Sequence, residues 1–293
     1  MFGSSLKLSA TQASFALLLG GCFWGLYWIP IRWLDGAGLS GSWAGIVLNA
    51  SALIVLLPFI YAARKNLLPH WQIFLFSGLV AGTAFALFTI SLSNTHVAKS
   101  ILLFYLTPVW STILGRIFLG EKLTAVRFLT LALGLGGMAI ILGDSNTLPI
   151  PKSMGEWFAL GSGVLWSVAS LGLFKSQGAP IAGQLFAFLL GATCVLTIGT
   201  FLLGFTLTIP DQTNQTTLWL GVFCLAAFYM LPMIWLTIYP ATLLSPVRVG
   251  LLLMSEVLVG LASAALLSGD PFGWREVIGA TLIVSAAVVE IFR

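Results

Sequence analysis

Charge is the scarcest commodity in this chain. Only 13 Lys and Arg and 9 Asp and Glu occur in 293 residues, 8% in all, where a soluble domain carries about 25%. That excludes a soluble globular protein. Histidine is nearly absent, with His70 and His96 the only two, so no Ser-His-Asp trio suggests a hydrolase and neither histidine has a partner at metal-ligand spacing. The three cysteines, Cys22, Cys194 and Cys224, lie far apart inside apolar stretches, which excludes a disulfide framework and a zinc signature. A Gly-Lys-Ser/Thr phosphate loop is also missing, so no ATP-driven pump is encoded here. No metal and no cofactor are expected, and an enzyme would have to build its chemistry almost solely on Glu256.

What remains is hydrophobicity, at 59% apolar residues and a mean hydropathy of +1.04. A bilayer core takes roughly 20 apolar residues per helix. The apolar tracts and their polar breaks predict ten spans, at 14–34, 42–63, 70–92, 96–118, 124–143, 156–175, 181–205, 216–239, 242–267 and 273–292. The fold class read from this is an all-α integral membrane protein. Spans eight and nine are separated only by Pro240-Ala241. The first apolar run continues through Trp24-Gly25-Leu26-Tyr27-Trp28 without a small-residue cleavage site, so it reads as span one and not as a signal peptide.

Basic loops stay in the cytoplasm. With both termini inside, Lys7, Arg64, Lys65, Arg116, Lys122, Arg127, Lys175 and Arg293 are cytoplasmic, and only Lys152 and Arg275 lie outside. The net charge of +4 is then explained by inner loops facing anionic lipid, with no reason to expect nucleic acid.

Two stretches repeat one design. Lys99 leads through Leu106-Thr107-Pro108-Val109 to Gly120-Glu121, and Arg248 leads through Met254-Ser255-Glu256-Val257 to Gly269-Asp270, each followed by another apolar helix. The polar segment between 143 and 152 divides the spans into five and five. An odd number per half makes the second half enter from the opposite face, so two inverted five-helix repeats are expected, at 1–143 and 156–293 with a periplasmic linker at 144–155.

The Trp24-Gly25 of span one, the Tyr105-Leu106-Thr107-Pro108-Val109 of span four, the Leu119-Gly120-Glu121-Lys122-Leu123 turn and the Gly-rich span five together resemble the drug/metabolite transporter superfamily, of the EamA type. The second half departs from that pattern, with Glu256 where Pro would stand and Gly269-Asp270 in place of Gly-Glu. The resemblance implies a ten-helix carrier in the bacterial inner membrane that moves amino acids or other small metabolites, often outward. A sugar or nucleotide-conjugate carrier of the same superfamily is the alternative, and it would need several cations for phosphates.

The substrate-binding candidates follow from cost. Charges inside spans are expensive and are functional candidates by default. Lys99 and Arg248 stand at matching places in spans four and nine, either as substrate contacts or reaching the nearest interface. Glu256 lies near mid-depth, about 12 Å along the helix from Arg248 at 1.5 Å per residue. It therefore needs another partner, a proton or a bound cation. Glu290 and Arg116, near span ends, read as solvated.

Trp24 and Trp28, spaced i, i+4 with Arg32 beyond, form a stripe that either lines a cavity or packs between helices. Tyr105, Trp166 and Tyr229 complete the expected aromatic walls, contributed by spans one, three, four, six, eight and nine. Gly134, Gly136, Gly137, Gly161, Gly163 and Gly191 read as close-packing positions. Pro108 is the hinge candidate. The expected partners are a small-molecule substrate, the lipid bilayer and a coupling proton, with the chain a monomer or weak dimer.

Overall fold

The computed structural model describes residues 8–39, 42–95, 97–142, 151–204, 215–268 and 273–292. Lys7, His96, Asp211, residues 143–150, Gly269-Asp270-Pro271 and Arg293, which carry part of the expectations above, lie outside them. Helices are the only regular elements among the described residues, without a strand.

Their segments join into ten rods. Rod α1 is α1a (Ala10–Gly25) and α1b (Trp28–Gly36), followed by α2 (Ser42–Leu67) and α3 (residues 71–94). Rod α4 is α4a (Val97–Phe104) and α4b (Thr107–Leu119), and α5 is Ala125–Leu142. Then come α6 (Met154–Lys175), α7 (Ile181–Leu202), α8 (Gln215–Ala241), α9 as α9a (Pro246–Leu253) and α9b (Ser255–Ser268), and α10 (Trp274–Ile291). Seven stretches are long and apolar enough to cross a bilayer, one of them the continuous Ser42–Leu92 that covers both α2 and α3. Rod α5 is a shorter apolar helix, and α10 carries Arg275, Glu276 and Glu290 within its 18 residues.

Local chemistry sets the ends. Ser9 and Gln12 form a reciprocal capping box on α1, with bonds of 2.9 and 3.2 Å. Gly120, at φ 66°, takes the left-handed conformation that ends α4b. One expected border moves. Pro240 lies inside α8, and the turn falls at residues 242–245, because Pro246 supplies the preset φ of a first helical residue.

Three rods are broken and two bulge, mostly where a donor is missing. Pro108 cannot bond to Phe104, whose carbonyl instead accepts the Thr107 hydroxyl at 2.5 Å, and the chain breaks at Tyr105-Leu106. Pro30 likewise frees Leu26 at the break in α1, where Ile29 N–H donates to Leu26 O at 3.0 Å. Rod α9 breaks at Met254 without a proline. Wide π turns occupy residues 74–79 of α3 and 226–230 of α8. The irregularities of α3 and α4 therefore recur five rods later.

Contacts follow the same exchange. Rod α3 packs on α6 and α7, while α8 packs on α1 and α2; α4 packs on α6, while α9 packs on α1. The pairs α2 with α7, α4 with α9 and α5 with α10 map onto themselves.

Small residues permit this closeness. Gly137 of α5 faces the Gly279 carbonyl of α10, Gly163 faces Phe104 and Gly191 faces Leu79, whereas Gly136 and Gly161 have nothing within 4 Å and are not close-packing positions. At Gly82 of α3 a Cβ would strike the Phe188 carbonyl and lie 2.8 Å from Ala192 N of α7. Gly82→Val must push two backbones apart, and overpacking of this kind costs about 1–3 kcal/mol. The purified variant is expected to melt at a clearly lower temperature, and unchanged melting would show that α3 and α7 do not touch there.

Candidate functional site

The breaks in α1, α4 and α9 meet near the middle of the molecule. Gly25 is what lets α1 and α9 approach, since a Cβ there would collide with the Glu256 carbonyl and lie 2.8 Å from Gly260 N. Beyond this contact the chain opens into a cavity of about 480 Å³, within the range of small-molecule sites. Its walls include Trp24, Tyr27, Trp28, Phe85, Phe88, Ile101, Glu256 and Gly260. Ile31, Gly45, Leu92 and Ala264, also on its walls, lie toward the end of the molecule away from Ala10 and Ile291, so the cavity extends in that direction. A smaller recess of about 50 Å³ adjoins it, walled by Trp24, Phe85, Phe88, Phe104, Trp166, Phe188, Thr237, Leu253 and Glu256. The two share Trp24, Phe85, Phe88 and Glu256.

Among the described residues, Glu256 is the one carboxylate on these walls, and no Lys, Arg or His lines either space. It occupies the first turn of α9b. Tyr105, 1% exposed, stands behind it with its hydroxyl 2.7 Å from Glu256 Oε2 and 2.9 Å from the Leu253 carbonyl. One phenol thus ties the break in α4 to the break in α9.

The aromatic walls are held in place by hydrogen bonds. Trp24 Nε1 donates to Thr237 Oγ1 at 2.9 Å, and Trp28 Nε1 donates to Ser263 Oγ at 3.0 Å. Arg32 lies over the Trp28 ring, 4.9 Å from its centroid. Tyr229 donates to the Phe23 carbonyl near the α1 break, which also accepts the Leu26 N–H at 3.1 Å. The Tyr27 hydroxyl and the Trp166 indole N–H are buried without a hydrogen-bond partner.

The sequence candidates therefore separate. Trp24, Trp28, Trp166 and Glu256 lie on the cavity walls, with Tyr105 and Tyr229 behind them. Rods α2 and α7, outside the expected set, contribute Gly45 and Phe188. Pro108 sits just after the α4 break. Lys99 is elsewhere, with its Nζ 2.8 Å from Glu156 Oε1. Arg248 is also elsewhere: its Nε donates to Ser14 Oγ at 3.0 Å and its Nη2 donates to the Ile291 carbonyl at 2.7 Å.

Glu290 departs from its solvated reading. It is 3% exposed, and its Oε1 lies 3.6 Å from Nη1 of Arg127, whose Nη2 lies 3.2 Å from Glu121. The Gly-Glu turn thus acts through Arg127 to join α4, α5 and α10 at the end opposite the cavity mouth. Because Lys99 faces Glu156, Lys99→Gln is expected to leave substrate affinity within about twofold, the scale of a partly exposed ion pair. A tenfold loss in a binding titration would return Lys99 to the site.

Ten helical rods among the described residues, three of them broken around a cavity, define a multi-pass membrane protein. The sequence model of the EamA-like transporter family matches residues 11–143. Protein RarD of Escherichia coli (strain K12) is 27% identical over 101 residues, 34% of this chain and 31% of that protein. The uncharacterized transporter YvbV of Bacillus subtilis (strain 168) is 28% identical over 178 residues, 58% of this chain and 56% of that one. The matched stretches thus span about a third and a little over half of these curated relatives. A crystal structure of a protein shares the fold, at a TM-score of 0.68 and 19% identity over 96% of this chain and 95% of the other.

Proposed function

We propose that the chain is a secondary carrier that moves small metabolites, amino acids or related compounds, out across the bacterial inner membrane by alternating access. The observation that carries this is the cavity at the meeting point of three broken rods, the arrangement in which carriers place their substrate sites. Recurrence of breaks and bulges five rods apart supports two inverted halves at 1–143 and 156–293, joined through 144–155. With both termini in the cytoplasm, as the basic residues argue, the cavity faces the periplasm. Rods held together by Arg248 and Arg127 then close the cytoplasmic side.

A phosphate-bearing substrate is disfavoured, because no cationic side chain among the described residues lines the cavity. The test is flux in proteoliposomes carrying only this protein, screened with labelled amino acids, amines, nucleosides and sugars. Saturable, protein-dependent movement of an unaltered compound supports the carrier. Chemical conversion without movement, or no flux for any class, overturns it.

A further inference from the structure

We propose that Glu256 holds either a proton or an organic cation, one at a time, and that its aromatic recess selects compounds of net positive charge over carboxylates and zwitterions. This rests on the carrier reading and narrows its substrate class, among amino acids and related compounds, to amines without a free carboxylate.

The first observation is a proton count. The Tyr105 hydroxyl contacts both the Leu253 carbonyl at 2.9 Å and Glu256 Oε2 at 2.7 Å. A phenol has one O–H to donate, and a carbonyl and an ionised carboxylate only accept. Both contacts hold a hydrogen only if Glu256 carries one, donating to Tyr105 while Tyr105 donates to Leu253. The arrangement is therefore that of the protonated acid.

The second observation is the company Glu256 keeps. Trp24, Phe85, Phe88, Phe104, Trp166 and Phe188 surround it in the recess. Aromatic faces attract cations, and desolvated cages of them bind ammonium groups. Among the described residues no positive side chain lines either space to receive a carboxylate. Lys99 faces Glu156, Arg127 faces Glu121 and Glu290, Arg248 faces Ser14 and Ile291, and Arg32 lies over Trp28.

The remaining titratable groups near Glu256 are phenols, Tyr105 from α4, Tyr27 from α1 and Tyr229 from α8. Phenols stay neutral through the physiological range. From α3, α6 and α7 the described residues on these walls are Phe85, Phe88, Thr89, Leu92, Trp166 and Phe188, none of them titratable in the physiological range.

Exchange keeps the charge of the site constant. As a cation enters, the Glu256 proton leaves to solvent, Tyr105 turns its hydrogen from Leu253 to the carboxylate, and the cation supplies the lost positive charge. Acid must therefore weaken cation binding, and in the range where protonated Glu256 dominates the apparent Kd rises about tenfold per pH unit lost.

The full-length protein in detergent, weakly buffered with an indicator dye, is titrated with phenethylammonium, tetraethylammonium and 3-phenylpropionate, and binding is read from tryptophan fluorescence. Expected are binding of at least one cation, release of about one proton per cation bound, and loss of the protonated-carboxyl infrared band on binding. Glu256→Gln is expected to lower cation affinity about 10- to 100-fold and to release no proton. Cation binding without proton release, equal binding by Glu256→Gln, tighter binding of 3-phenylpropionate, or no cation bound would each overturn the proposal. Amino-acid flux alongside any of these results leaves the carrier standing without this site. Proton-releasing cation binding with no flux of any compound leaves the site standing without the carrier.

Discussion

Replacing Glu256 with Gln is expected to abolish tetraethylammonium uptake into proteoliposomes with an acidic lumen, leaving only the leak of protein-free vesicles. Tetraethylammonium is the suitable probe because its permanent charge keeps it from crossing lipid unaided. Under the proposed exchange, protons would leave the lumen through Glu256 and the cation would enter on the same carboxylate. An amide neither releases a proton nor pairs with a cation. Interactions with a charged partner contribute about 1.5–3 kcal/mol, or roughly 10- to 100-fold in affinity, so exchange without a gradient should fall as well.

That second result is the informative one. If Glu256 only relayed protons, the amide would mimic the protonated acid and exchange would survive. Folding should be intact in either case, because the Gln amide can donate to the Tyr105 hydroxyl as the protonated acid does, keeping the bond from Tyr105 to Leu253. Melting at the native temperature with full gradient-driven uptake would remove Glu256 from the mechanism.

Much of the scaffold is legible because its physics is local. Apolar tracts of bilayer length separated by polar turns give the rods to within a few residues, and Pro108 announces the break that begins at Tyr105. Pro240 misleads because proline is tolerated inside membrane helices whose freed carbonyls find other partners. Glu256 stands out in sequence as an acid deep within an apolar run.

What completes the site is not local. Tyr105 reaches Glu256 across 151 positions. Lys99 and Arg248 look like ligands for a carboxylate until folding brings Glu156 to one and the Ile291 carbonyl to the other. Glu290 looks like a solvated span end, and Arg127 like a cation of the cytoplasmic side, until α5 packs along α10. Phe85, Phe88, Phe104 and Phe188 are four of 21 phenylalanines, and nothing in their spacing marks them as cavity walls.

Arg248→Ala is expected to shift the protein toward the state open at the end that carries Ala10 and Ile291. Alternating access requires this end to separate when the opposite mouth closes. Arg248 opposes that separation by tying α9a to Ser14 of α1 and to the Ile291 carbonyl at the last turn of α10. Such a carbonyl has no partner within its own helix, so the guanidinium also satisfies an orphaned acceptor.

Losing charge-assisted bonds of this kind removes about 1.5–3 kcal/mol. Because the bonds exist in only one of the two states, the equilibrium between them moves by roughly 10- to 100-fold. Spin labels at the exposed Thr11 and Phe292, in a chain whose three cysteines are replaced by serine, report the separation of α1 from α10. The native chain should give one short distance, and the Arg248→Ala chain a second, longer population. Arg248→Lys keeps the charge but cannot reach both partners with a planar fork, so it should fall between them. Identical distance distributions in all three would show that Arg248 does not hold this end closed.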